Sequence, residues 1–239
     1  CALPIYLSKK GQIEEMFDQI SPRYDLLNHL LSVNIDKVWR KKAIRMLEPC
    51  RPRTILDVAT GTADFAIAAT QLNPEKITGI DLSEGMLNIG RQKVQKKGLT
   101  HLIHLQKADS ESLPFEMNSF DAATVGFGVR NFENLKKGLA EIYRVLKPGG
   151  VLVVLEFSHP TNKLLGSLYF FYFAKVLPLL GRMVSKDKRA YSYLPESVRN
   201  FPHGMAFIRI LKKLGYVDCL HRPLTGGIAS IYKAQKTEI

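Results

Sequence analysis

Three carboxylates and one guanidinium stand where side chains could meet a ligand: Asp57 in "ILDVATGTADF", Asp81 in "KITGIDLS", Asp109 in "LIHLQKADS" and Arg130 in "GFGVRN". Each closes a short apolar run rich in β-formers. A carboxylate in the turn after the first run would repel a pyrophosphate, but it can accept hydrogen bonds, directly or through water, from a cationic amino-acid headgroup. Asp81, at the end of the second run, can accept both hydroxyls of a ribose, and Asp109 could accept from an exocyclic adenine amine. A dinucleotide site wants G-x-G-x-x-G after the first strand, so that backbone amides can approach phosphate; here only Gly61 is present. The three acids together fit S-adenosylmethionine better than a nicotinamide dinucleotide. The plainer alternative is that strand-end aspartates only cap helices.

The elements that must position these residues alternate. "TILDVA" is followed by the helix-like "ADFAIAATQL", then "KITGIDLS" by "EGMLNIGRQKVQKKG", which has helical periodicity and a glycine stop. "LIHLQKAD" and "FDAATVGFG" are the third and fourth strands, "NLKKGLAEIYRVLK" is the next helix, and "VLVVLEFS" is the fifth strand, opened by the turn "KPGG". Such alternation implies an α/β fold with a parallel sheet, helices on both faces and right-handed crossovers. Ligands of these sheets bind beyond the carboxyl ends of the strands, which puts Arg130 at the ligand edge. The plainer reading of Arg130 is a pair with Glu133 or a loop cap.

The chain has 239 residues, enough for one sizeable core. Three cysteines, Cys1, Cys50 and Cys219, have neither metal-ligand spacing nor a paired framework, which points to a reducing, cytoplasmic compartment. The start does not read as a signal peptide. Of the net charge of +12, most lies in residues 159–239, where thirteen Lys and Arg stand against four Asp and Glu. That bias suits an anionic membrane surface or a nucleic acid. The histidines show no metal spacing: His101 and His104 would face opposite sides of a strand, and His159 and His203 sit beside prolines.

Over nearly its whole length the sequence resembles the ubiquinone/menaquinone biosynthesis C-methyltransferases, a branch of the class I S-adenosylmethionine-dependent methyltransferases. The resemblance rests on "MFDQISPRYDLLNHLLSVNIDKVWR", "LDVATGTADF", "DLSEGML", "FGVRNFEN", "RVLKPGGVLVVLEFS" and "YSYLPESVRNFP". Leu27 stands where the family commonly has methionine, Asp36 where it has histidine, and Ala63 where a glycine is usual. The resemblance implies a Rossmann-like, seven-stranded, mostly parallel sheet with a C-terminal antiparallel hairpin and an N-terminal helical lid. On this reading residues 1–50 form the lid and residues 51–239 the cofactor-binding domain, with a substrate insertion at 159–204. The hairpin agrees with "YVDCLHRPL" and "IASIYKAQK" flanking a short "TGG" turn.

The resemblance further implies that Thr62, Asp81, Asp109 and Ser110 contact S-adenosylmethionine, with Asp57, Gly61 and Gly126 shaping the site and Met86 against the adenine. The implied reaction is methylation of a ring carbon of demethylmenaquinol, a prenylated hydroquinone. A ring carbon is a poor nucleophile until a neighbouring hydroxyl ionises. Arg130, permanently charged, would stabilise the quinolate; Asn131 would bond the hydroxyl or hold a water that takes its proton; Tyr24 would reach it through a water. No metal is implied. An enzyme that also methylates a benzoquinol is the alternative within the family. From another class, an RNA-binding methyltransferase could use the basic last third, with Tyr191 and Tyr193 as stacking residues, but the "GFGVRN" after the fourth strand argues against nucleic acid. The segment 163–184 is greasy but interrupted by Lys175, Pro178 and Arg182, which suits a prenyl-tail tunnel, core, or peripheral contact with the inner face of the cell membrane rather than a span. An apolar face there would equally suit a homodimer.

Overall fold

Runs such as "TILDV" and "VLVVLEF" are apolar at successive positions, the pattern of strands covered on both faces. The computed structural model describes residues 8–31, 34–160 and 188–238, with the backbone alone for residues 23, 26–31 and 188–192. The sequence yields seven strands: β1 (Thr54–Val58), β2 (Lys76–Asp81), β3 (Ile103–Lys107), β4 (Phe120–Gly126), β5 (Leu146–Phe157), β6 (Val217–Leu224) and β7 (Ala229–Gln235). They form one sheet in the order β3-β2-β1-β4-β5-β7-β6. The first five are parallel, and β7 runs antiparallel between β5 and β6. The chain reverses direction on either side of β1, so the loops after β1 and β4 lie side by side at the carboxyl edge.

The fifth strand is longer than its sequence suggests. "KPGG" is not a turn before the strand but part of it: Phe120 pairs with Leu146, the register then shifts, and Ala122 pairs with Val151. Gly149, at φ 75°, takes the backbone through this irregularity.

Helices cover both faces. On one side α5 (Leu135–Val145) and α7 (Met205–Lys213) bury Leu139, Ile142, Phe207 and Leu211 with Tyr216 and Tyr232. Facing the other side, α2 (Ile35–Arg45), α3 (Asp64–Ala69) and α4 (Glu84–Lys96) bury Trp39, Ile44, Phe65, Ala66 and Val94. Two side chains start their helices by satisfying free amides: Ser83 accepts from Met86 N in α4, and Asn134 from Lys137 N in α5.

The N-terminal segment divides in two. α1 (Lys9–Leu31) lies against α4, while α2 begins after the left-handed Asn34. α2 belongs to the core: Ala43, Ile44 and Leu47 are fully buried, and Trp39 Nε1 donates to Thr225 Oγ1 at 2.8 Å, in the hairpin at the other end of the chain. So among the described residues of 1–50, α1 covers the loops as a lid would, and α2 does not. The polyapolar segment 163–184 lies outside the described residues; α6 (Lys188–Asn200) follows it.

Trp39→Phe removes a hydrogen bond and part of a packed ring, and is expected to lower stability by about 1–3 kcal/mol in urea unfolding. An unchanged midpoint would mean that α2 is not part of the cooperative core.

Candidate active site

The loop after β1 is built from left-handed residues. Ala59, Gly61 and Ala63 have φ of 54°, 55° and 65°. Only glycine takes this conformation without steric cost, so the two alanines store roughly 1–3 kcal/mol each. Hydrogen bonds hold the loop in place. Asp57, fully buried in β1, accepts from Thr60 Oγ1 at 2.6 Å and from Thr124 Oγ1 of β4 at 2.7 Å. Gly61 N donates to Asp81 Oδ2 at 2.8 Å, and Ser83 N donates to Asp81 Oδ1 at 2.9 Å. The loops after β1 and β2 are thus tied to one carboxylate.

The glycines after β4 answer to the same packing. A Cβ on Gly128 would lie 2.4 Å from the Cβ of left-handed Ala59, and one on Gly126 would lie 2.5 Å from the ring of Phe65. The two glycines of "GFG" therefore let the β4 loop pass the β1 loop and α3 at this spacing.

A cleft opens along the carboxyl ends of β1 to β4. Gly61, Asp81, Met86, Asp109, Ser110 and Gly126 line it together with Tyr24 and Asn131. Among the described residues five acids face it, Glu14, Asp81, Asp109, Glu111 and Glu133, against one cation, Lys10. Burial raises the Asp81 pKa, opposed by the amides of Ser83 and Gly61. This arrangement repels phosphate and favours a ligand with positive charge.

Two of the expected site residues lie off the cleft. Asp57 does not reach the cleft: both its oxygens serve the threonines, and burial pushes its pKa up to about 6. Its part is to hold the loop. Thr62 is also turned away, its hydroxyl donating to Asp25 Oδ1 at 2.6 Å and accepting from Lys93 Nζ at 3.1 Å.

α1 reaches all three loops. Lys10 pairs with Asp109, which raises the Lys10 pKa. Asp18 Oδ1 accepts from Ser83 Oγ and from Gly85 N at 2.9 Å. Asp25 accepts from Thr62 and Lys93. No local pattern marks these anchors, because each partner lies far off in the chain. Asp36 is buried and accepts from Arg40 Nη2 at 2.9 Å, one turn along α2.

Arg130 lies just outside the cleft, in a short helical turn (Val129–Asn131). Its acid is Glu156 at the end of β5, not Glu133: Nη1 donates to Glu156 Oε1 at 2.8 Å, and both side chains are buried. Arg130 Nη1 also donates to Phe127 O, Nε to Ser197 Oγ at 3.3 Å, and the guanidinium sits 5.6 Å from the Phe157 ring. Among the described residues, Nη2 has no hydrogen bond. Arg130 lines a second, more aromatic cleft with Val129, Phe132, Tyr193 and Phe201; the two clefts share Phe132 and Glu133. Burial pushes the Tyr24 phenol up to about 12, against the opposing pull of Arg130. Tyr24 thus stays a neutral donor at physiological pH. Tyr193 Oη donates to Asn131 Oδ1 at 3.0 Å.

The family model described as "ubiE/COQ5 methyltransferase family" matches residues 6–236. A demethylmenaquinone methyltransferase of Bacteroides fragilis is 50% identical over 95% of this chain and 94% of its own. A ubiquinone/menaquinone biosynthesis C-methyltransferase of Geotalea daltonii is 47% identical over 96% and 99%. Among solved structures, a possible histamine N-methyltransferase of Thermotoga maritima, dependent on S-adenosylmethionine, shares the fold at TM-score 0.65 with 20% identity, over 94% of this chain and 100% of its own.

The raised Asp57 pKa makes stability depend on pH. Folding favours the protonated carboxyl, so its contribution is fully present below the unfolded value of 3.8 and is lost as pH rises through about 6. Relative to Asp57→Asn, the wild type is expected to lose roughly 3 kcal/mol between pH 3.5 and pH 7, read from urea unfolding at each pH. Parallel stability curves for the two proteins would contradict this.

Proposed function

The chain belongs to the ubiE/COQ5 methyltransferase family, and on that premise we propose that it methylates a ring carbon of a prenylated demethylmenaquinol, giving menaquinol. The observation that carries the reading is the pair of adjoining clefts, one acidic and one aromatic with a held guanidinium, sharing the wall of Phe132 and Glu133. S-adenosylmethionine, the cofactor, supplies a methyl group already activated on a sulfonium. The acidic cleft suits its two positive centres, and Asp81, Asp109, Ser110, Met86, Gly61 and Gly126 are in place to hold it.

The acceptor takes the second cleft in this account, its ring among Phe132, Tyr193 and Phe201. Arg130 offers Nη2 to the acceptor oxygen and favours its ionised form, which makes the neighbouring carbon nucleophilic. Glu156 keeps the guanidinium from turning away. Tyr24 acts as a donor rather than a base. α1, pinned across the loops, excludes water, so orientation supplies much of the remaining rate.

Two further points extend the reading. The Geotalea daltonii relative supports a second acceptor, a benzoquinol, since its printed name covers ubiquinone as well as menaquinone. Contact with an anionic leaflet from the cytoplasmic side is supported by the exposed face of α7, where Arg209, Lys212 and Lys213 accompany Met205. Among the described residues no helix is long and apolar enough to cross a membrane. An RNA acceptor is disfavoured by Tyr193, which is half-buried and bonded to Asn131 instead of offering an open stacking face.

Incubation with methyl-labelled S-adenosylmethionine and short-prenyl demethylmenaquinol, the benzoquinol analogue and bulk RNA is expected to put label in the naphthoquinol. Arg130→Lys should lower kcat by about 100-fold or more with little change in cofactor Kd. Label in RNA, or in none of the three, would overturn the acceptor.

A further inference from the structure

Asn131 stands at the junction of the two clefts. It lines the acidic one, and its amide oxygen is held by Tyr193, which lines the aromatic one. A carboxamide has one acceptor end and one donor end. With Oδ1 taken by the phenol from one side, the end left for a group lying across the junction of the two clefts is Nδ2, which only donates. The phenol comes from α6 (Lys188–Asn200), far along the chain, and the residue it holds follows Arg130 directly. Arg130 is restrained in the same manner: Phe127, Glu156 and Ser197 occupy Nη1 and Nε, leaving Nη2.

We propose that Tyr193 is a positioning residue for methyl transfer: by donating to Asn131 Oδ1 it turns the amide N–H to the acceptor oxygen, so that this part of the site stabilises an ionised acceptor and does not receive its proton. This deepens, and rests on, the quinol reading above. It decides between the two roles that the sequence leaves open for Asn131, donor to the oxygen or holder of a proton-accepting water. The oxygen meets N–H donors from Arg130 and Asn131, and its proton leaves to solvent; the ring carbon would then form its bond to the methyl group as the sulfonium carbon–sulfur bond breaks and the thioether leaves, and loss of the ring-carbon proton with reprotonation of the oxygen from solvent restores the quinol. Among the described residues Arg130, Glu156 and Glu196 act electrostatically on the Tyr193 phenol, Lys9 and Glu133 line the same cleft, and Arg130 also acts on the phenol of Tyr24 in α1.

The test compares wild type, Tyr193→Phe and Asn131→Asp on short-prenyl demethylmenaquinol, with kcat measured against pH and cofactor Kd and melting temperature measured alongside. Loss of the phenol hydroxyl frees the amide to turn, so Tyr193→Phe is expected to lower kcat about tenfold. It should also move the acid limb of the kcat profile to higher pH, because the bound acceptor ionises less readily. Cofactor Kd should stay at the wild-type value. Asn131→Asp sets a negative charge beside the same oxygen and is expected to lose about 100-fold or more, with the limb moved further.

A Tyr193→Phe enzyme with the kcat and acid limb of an active wild type overturns the inference. So does an Asn131→Asp enzyme as active as wild type, since a carboxylate improves a proton acceptor. A merely structural tyrosine would lower the melting temperature without moving the limb, which also counts against it. A wild type that methylates no quinol overturns the acceptor reading and this inference with it; an active wild type matched by Tyr193→Phe overturns this inference alone.

Discussion

The site depends on a carboxylate that lies behind the cleft rather than in its wall. Asp57 sits in the middle of the sheet, fully buried, and its two oxygens hold one threonine from the loop it leads into and one from the neighbouring strand. An unpaired buried charge is costly, and its pKa shift records that cost. Its return is geometric. Fixing Thr60 against Thr124 fixes the distance between the β1 and β4 loops, and the left-handed Ala59 then presses on Gly128 at a spacing that admits no side chain. The cleft floor, the "GFG" stretch and the position of Arg130 all follow from that spacing.

From this base the chain separates two chemistries across one wall. On one side the ends of β2 and β3 present acids, and Asp81 braces the loops after β1 and β2 by taking the amides of Gly61 and Ser83. On the other, β5 supplies Glu156, whose carboxylate accepts from the Arg130 backbone and side chain together. A buried pair of this kind gives little net stability, but removing one partner costs about 3–5 kcal/mol. Its value here is in orientation: a guanidinium held on two nitrogens can offer only the third. α1 completes the arrangement from outside, with one anchor in each of the three loops.

Much of this was legible in the sequence because it is local or periodic. Strand–helix alternation gave the sheet, the "TGG" turn gave the hairpin, and the acids at strand ends marked the cleft, as Asp81 and Asp109 show. Long-range pairings were not legible. Nothing near Arg130 names Glu156, which is 26 residues away on another strand, and Glu133 was the nearer guess. Asp57 and Thr62 were misplaced for a related reason: a motif shows that a polar residue is in a turn, but only packing shows which way it faces. The lid expected over residues 1–50 took in α2 for another reason, as an amphipathic helix reads alike whether it covers a site or fills a core. Finding "KPGG" inside β5 required the register of β4.

The central claim is that the acidic cleft is the methyl-donor site, and calorimetric titration of S-adenosylmethionine into the wild type and Asp81→Asn tests it most directly. Asparagine keeps the shape and one acceptor while removing the charge. The account predicts binding by the wild type and a Kd weakened about tenfold or more in the variant, with a lower melting temperature because one of the two loop amides loses its acceptor. Equal affinity in the two proteins, or tighter binding by the variant, would contradict it.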